Sequence, residues 1–210
     1  ENGADRIELC ANPHEGGTTP SYGMMKAARK STLIQVFPII RPRGGDFLYT
    51  QEEFQAMKDD IKAAQDIGCE GVVIGILNKD GGIDIEKCQE LVEIAKGIDV
   101  TFHRAFDRVK DPHSSLEQII AIGCKRILSS GLRPTAKEGS NILKTFVSQA
   151  NGRIKIMPGS GVRADNIVQL AKDTGAVCFH SSARKTLESQ MNYFNTNMKE
   201  NLVQVSLDGK

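Results

Sequence analysis

One pattern recurs along the chain and limits what it can fold into. Gly3-Ala4-Asp5-Arg6-Ile7-Glu8-Leu9-Cys10 resembles Gly68-Cys69-Glu70-Gly71-Val72-Val73-Ile74-Gly75. Gly123-Cys124-Lys125-Arg126-Ile127-Leu128-Ser129-Ser130 and Gly175-Ala176-Val177-Cys178-Phe179-His180-Ser181-Ser182 follow the same plan. Each opens on glycine, runs into an apolar or alternating strand, and closes on polar or tiny residues. The glycine suits the left-handed position just past a helix end, and the strand begins within a short αβ loop of it. Such repetition predicts stacked βα units.

Further strands are expected at Leu33–Ile40, Val100–His103 and Arg153–Met157, with helical stripes between them. Thr50 and Glu53 have the spacing of a capping box, ahead of Phe54, Met57 and Ile61. Asp111-Pro112 reads as a helix cap and first helical position. Seven strands alternating with helices predict a parallel sheet. The expected fold class is α/β, a TIM-type (β/α)8 barrel. A closed barrel needs eight strands. The chain opens where a helix should be ending, so the first βα unit is expected to be missing. An open doubly wound sheet is the alternative, but the glycine-rich phosphate fingerprint it would carry is absent. One barrel domain is expected over residues 1–195, with a tail over residues 196–210.

With 27 Lys and Arg against 26 Asp and Glu, a near-neutral chain makes no electrostatic case for nucleic acid or an anionic membrane. No apolar run is long enough to span a bilayer. Five scattered cysteines without a CxxC pair suit reduced thiols in a cytosolic protein better than a disulfide framework. The cytoplasm is the expected location, with the nucleus as a second.

Ligands of a βα-barrel bind at the carboxyl ends of its strands. Alternation turns Arg6, Glu8 and Cys10 inward, opposite Ile7 and Leu9. It likewise turns Cys178, His180 and Ser182 inward, and puts Thr101 and His103 on one face. Glu8, His103 and His180 are therefore the candidate proton-moving residues. Arg41, Arg43, Asp46, Arg104, Asp107, Ser182 and Arg184 form the polar rim and are candidate ligand-binding residues. Glu8 and Arg41 are expected to pair, either as a ligand anchor or as a network that only closes the barrel top. Gly159 and Gly161, in Pro158-Gly159-Ser160-Gly161, lie where barrels often hold phosphate, though glycine is also the ordinary choice for a tight turn. No P-loop, HExxH, GxSxG or dinucleotide fingerprint occurs, and no organic cofactor is indicated.

Several of these segments are similar to motifs of the CutC copper-homeostasis family. They are Arg6-Ile7-Glu8-Leu9-Cys10 with Glu15-Gly16-Gly17-Thr18-Thr19-Pro20-Ser21, Ile40-Arg41-Pro42-Arg43-Gly44-Gly45-Asp46-Phe47, and Thr101-Phe102-His103-Arg104-Ala105-Phe106-Asp107. Ile127-Leu128-Ser129-Ser130-Gly131, Pro158-Gly159-Ser160-Gly161 and Phe179-His180-Ser181-Ser182-Ala183-Arg184 complete the set. The resemblance runs from Gly3 to about Asn195. It departs in the absent first strand and helix, in Ser129 where threonine is usual, and in a tail unlike a closing helix. It implies a cytosolic, homo-oligomeric barrel that serves copper homeostasis and binds Cu(I), and it brings no defined reaction. Cu(I) prefers soft thiolates, which makes Cys10 the first candidate ligand and Cys178 the second. The competing expectation is an enzyme acting on a small carboxylate or phosphate metabolite held by the arginines. The expected partner is thus copper or a small anion.

Overall fold

The computed structural model describes residues 3–182, 185–187, 189–193, 195, 197 and 204–206. Six strands and six helices alternate in order: β1 (Arg6–Leu9), α1 (Tyr22–Ser31), β2 (Gln35–Pro38), α2 (Gln51–Ile67), β3 (Gly71–Ile74), α3 (Ile85–Ile94), β4 (Asp99–Phe102), α4 (Pro112–Ala121), β5 (Arg126–Ser129), α5 (Ser140–Ala150), β6 (Lys155–Pro158) and α6 (Ile167–Thr174). β1 pairs in parallel with β2, and β3 to β6 pair in parallel in chain order. A parallel bridge from Ile39 to Val73 joins the two sets. The result is a partial (β/α) barrel, six parallel strands adjacent in sequence order, and not an open doubly wound sheet.

Local signals explain where the elements start and stop. Thr50 and Glu53 form the complete capping box at the head of α2. Asp111 caps α4 by accepting from the Ser114 N–H, with Pro112 in the first turn. The glycines that open the four repeats, Gly3, Gly68, Gly123 and Gly175, all have positive φ. On α2 the buried residues are Phe54, Met57, Ile61 and Ala64, a stripe of helical period. Each of the larger three contributes roughly 1.5–3 kcal/mol by leaving water.

The interior has two parts. A shell between strands and helices holds the outward residues of the strands, among them Val36, Val72, Ile74, Val100, Phe102, Ile127 and Ile156. The alternate residues Phe37, Val73, Leu128 and Met157 are buried apart from that shell, along the barrel axis. Gly71 shows how tight the axis is, since a Cβ there would come within 2.4 Å of the Phe37 ring.

Two elements depart from the sequence reading. Residues 176–182 do not form a regular strand, although the His180 N–H donates to Pro158 O at 2.9 Å and so extends the sheet past β6. The outer face of this segment is uncovered: Val177 is 83% exposed. A segment paired on one edge and packed on one face lacks the second neighbour that would regularise it. A short antiparallel pair joins the end of the expected domain to the tail, β7 (Lys185–Leu187) with β8 (Gln204–Ser206), which the repeat pattern does not announce.

Candidate functional site

The carboxyl end of β1 and residues 176–182 bring together two of the three expected proton-moving residues. His180 Nδ1 lies 3.2 Å from Glu8 Oε2. Glu8 is 11% exposed and His180 29%, so the carboxylate is the inner partner and the ring faces the barrel mouth. Arg6 stands on the inner side, 3.7 Å from Glu8 Oε1, and donates to Met157 Sδ at 3.0 Å. Gly159 packs beneath the His180 ring, where a Cβ would lie 3.4 Å from His180 Cβ and only 2.5 Å from Leu128. A carboxylate against one ring nitrogen fixes the orientation of the imidazole and leaves the other nitrogen to accept or donate a proton.

Arg41 is not part of this pair. Its guanidinium donates to the carbonyls of Glu15, Gly17 and Gly45, each at 2.8 Å, and lies over the Phe47 ring. Glu8 pairs with His180 and Arg6 instead, which corrects the expected Glu8–Arg41 pairing. Those three acceptors lie in two loops, and the geometry makes Arg41 a clamp that holds the β1 and β2 loops together.

His103 is held on the opposite side of that clamp. Its ring stacks on Phe47 at 4.9 Å between centroids. Nδ1 accepts from the Ala105 N–H, so the proton of the neutral ring resides on Nε2. Burial, reinforced by the nearby charge of Arg41, pushes its pKa down to about 3. His103 is thus a neutral donor at physiological pH. Among the described residues no hydrogen bond or ion pair joins His103 or Arg41 to Glu8 or His180.

The other rim residues are occupied by local tasks. Asp107, only 4% exposed, accepts from the Ser129 and Ser130 hydroxyls, from the Ser130 and Leu132 N–H groups and from Arg104. Arg104 also donates to the Ser130 hydroxyl. This network shapes the turn after β5. Arg43 pairs with Glu53 at 2.6 Å and with Asp46 at 3.0 Å, and its hydrogen bond, with one from the Leu48 N–H, holds the Asp46 carboxyl below the usual range. In the loop after β6 the Gly159 N–H donates to Ser129 O, and Gly161 has φ 75°. Ser182 is exposed at the mouth, and Arg184 lies outside the described residues.

The candidate copper ligands stand apart from any polydentate set. Cys10 is half-buried at the end of β1 with Gly17 closed over it: a Cβ on Gly17 would sit 3.5 Å from the sulfur. Cys178 donates toward Ile156 O at 3.8 Å, and burial pushes its thiol pKa up. None of the five cysteines is in a disulfide. Among the described residues no group of three or more His, Cys, Asp and Glu is placed to hold a metal ion.

Behind the mouth the barrel axis is polar and incompletely satisfied. Arg6 Nε, Glu8 Oε1, Thr101 Oγ1, His103 Nε2 and Arg126 Nη1 are buried without a hydrogen-bond partner among the described residues. Buried polar groups are normally paired, and leaving one unpaired costs about 1–3 kcal/mol. Sequence reasoning named all of these as inward except Arg126, which opens β5 at the far end of the barrel. Its signal was the alternation itself, because Arg126 shares a face with Leu128.

A partial (β/α) barrel of parallel strands in sequence order places the chain in the class of βα-barrel proteins. Within that class the chain is a member of the CutC family, whose model matches residues 1–185. It is 49% identical over 193 residues to a CutC family protein of Chromobacterium violaceum, covering 92% of this chain and 78% of the relative. It is 47% identical over 196 residues to the human copper homeostasis protein cutC homolog, covering 93% and 72%. Among solved structures, the copper homeostasis protein CutC of Streptococcus agalactiae superposes with a TM-score of 0.81 at 38% identity, covering 84% of this chain and 87% of that one. Deoxyribose phosphate aldolase from Aeropyrum pernix, at 14% identity and a TM-score of 0.58 over 77% and 69% of the two chains, shares the fold alone.

Proposed function

We propose that this member of a copper-homeostasis family binds a small polar or anionic metabolite at the barrel mouth and moves a proton on it through His180. The observation that carries the reading is the Glu8–His180 pair, backed by buried polar atoms that lack partners along the axis. Arg6 supplies positive charge behind the pair, and His103 Nε2 offers a neutral donor. Glu8 is the orienting carboxylate and His180 the acid–base group. Ser182, exposed at the mouth, and the outer face of Arg104 are the rim groups that would meet the ligand.

The test uses a panel of glycolate, lactate, malate and their phosphate esters, with melting temperature and amide NMR shifts as readouts. One member should raise the melting temperature of the full-length protein, and His180→Gln or Glu8→Gln should abolish that shift. If no member binds, or if both variants bind as the parent does, the reading fails.

A second reading follows from the name its relatives carry: Cu(I) as cargo, taken by a thiolate at Cys10 with Cys178 as a weaker partner. Its support is the soft-ligand preference of Cu(I) and the position of Cys10 beside the mouth. Against it stands the absence, among the described residues, of a ligand set of three. Copper content after anaerobic reconstitution separates the two: the cargo reading requires about one Cu(I) per chain and its loss in Cys10→Ser. We further propose a cytoplasmic homo-oligomer. The thiols outside disulfides favour a reducing compartment, and no helix among the described residues is long and apolar enough to cross a membrane.

A further inference from the structure

We propose that the floor of the barrel, at the amino ends of β4 to β6, is a second binding site, for a small oxyanion of the phosphate class. It lies at the opposite end of the strands from the mouth and does not depend on the reading of that site.

A pocket of about 270 Å³ opens there, lined by Asp99, Lys125, Arg126, Gly152, Arg153, Ile154 and Lys155. Lys125 directly precedes β5, and Lys155 begins β6 beside Arg126 in register. The parallel ladder sets Arg126 and Lys155 side by side, and Lys125 also lines the pocket. Lys125 and Lys155 are exposed, and among the described residues neither has an ion-pair partner. Arg153 is offset by Glu117, which it holds through two hydrogen bonds. That leaves Lys125, Arg126 and Lys155 against the single carboxylate of Asp99, a surplus of two positive charges.

Arg126 is what makes this a built site and not two surface lysines. Its side chain is 12% exposed and is seated over the Phe37 ring at 5.4 Å. Nη2 is committed to Asp99 at 2.9 Å, while Nη1 is buried without a partner. A guanidinium fixed by an aromatic face and a carboxylate holds its charge at the pocket wall, with little entropy left to lose on binding. A tetrahedral dianion fits this arrangement, because it can sit against the fixed Arg126 charge and give its oxygens to two flexible ammonium groups. The pocket's volume suits a phosphate or a compact phosphate ester.

The experiment is a titration of the full-length protein with inorganic phosphate, against chloride at equal ionic strength, followed by backbone amide NMR. Saturable shifts are expected at Gly152–Lys155 and Lys125–Arg126. The double variant Lys125→Glu, Lys155→Glu should weaken phosphate binding by at least about tenfold, since two exposed charges are reversed beside the ligand. Both positions are exposed, so folding is retained, and an unchanged urea midpoint checks this. His180→Gln should leave floor binding as it was. Phosphate affinity equal in the parent and the double variant would overturn the proposal. So would shifts centred on Pro158–Val162 that vanish in His180→Gln, or no preference for phosphate over chloride.

Discussion

The wall formed by β3 to β6 and the seam formed by β1 and residues 176–182 solve different problems. Every residue of β3 is buried, and β4 and β5 are buried beyond their first residue. All four residues of β1 are only half-buried, and Val177 on the other side of the seam is open to solvent. Several polar groups in and behind the wall are held neutral or well bonded: His103 is uncharged, burial pushes the Cys88 thiol to about 12, and Asp107 is saturated with donors. In the seam, Glu8 meets Arg6 and His180 with one oxygen still lacking a hydrogen bond. Burial is thus deepest in the wall, and the Glu8–His180 pair lies where the barrel is least tightly packed.

If that division holds, the wall should suffer most from polar substitution. Asp107→Ala leaves the Ser129 hydroxyl, two N–H groups and Arg104 without this acceptor. It is expected to destabilise the protein by roughly 3–5 kcal/mol in a urea titration. A loss under about 1 kcal/mol would mean the wall is not the stabilising half.

The clamp joining the two regions comes next. Arg41→Met strips a charged donor from three loop carbonyls and should cost about 3 kcal/mol. It should do so without altering the Glu8–His180 pair, as judged by an unchanged His180 titration by NMR. A changed titration would tie the clamp to the seam after all.

A pH dependence sharpens the comparison further. His103 binds its proton near pH 3 when folded and near 6.5 when unfolded, so between those values the unfolded chain holds the extra proton. Its contribution is present above pH 6.5 and is lost as pH falls toward 3. About 2 kcal/mol should disappear between pH 7.5 and 5. The difference in stability between the parent and His103→Phe, measured at both pH values, isolates that share. An equal difference at both would show that the ring is not held neutral.

The smallest expected effect is in the seam. His180→Gln should change stability by less than about 1 kcal/mol, because the ring is partly exposed. A penalty matching that of Asp107→Ala would make the pair structural.

Much of this was readable from residues alone, where local rules decide. Strand alternation put Glu8 and His180 on one face, and the strand ends brought them to one height. Thr50 with Glu53 and Asp111 with Pro112 announced helix starts because caps act within one turn. Arg41 misled because its acceptors are main-chain carbonyls of two loops, which side-chain identity does not encode. Arg43 and Asp46 looked like ligand contacts, yet three residues of spacing let them satisfy each other. Residues 176–182 carry a strand's pattern, but a ladder also needs neighbours. Arg126 went unnoticed because attention to the carboxyl ends of strands hides whatever opens them.

The two mouth histidines each stand against a glycine. A Cβ at Gly75 would come within 2.4 Å of the His103 ring, and one at Gly159 would crowd Leu128 and touch His180. In an evolving lineage this makes the order of change one-way. Gly75 can acquire a side chain only after His103 has shrunk, and once Gly75 has grown the histidine cannot return in a single step. A library that randomises position 75 alone should therefore recover glycine almost exclusively. One that randomises 75 and 103 together should recover a second solution, with a side chain at 75 only where 103 is small.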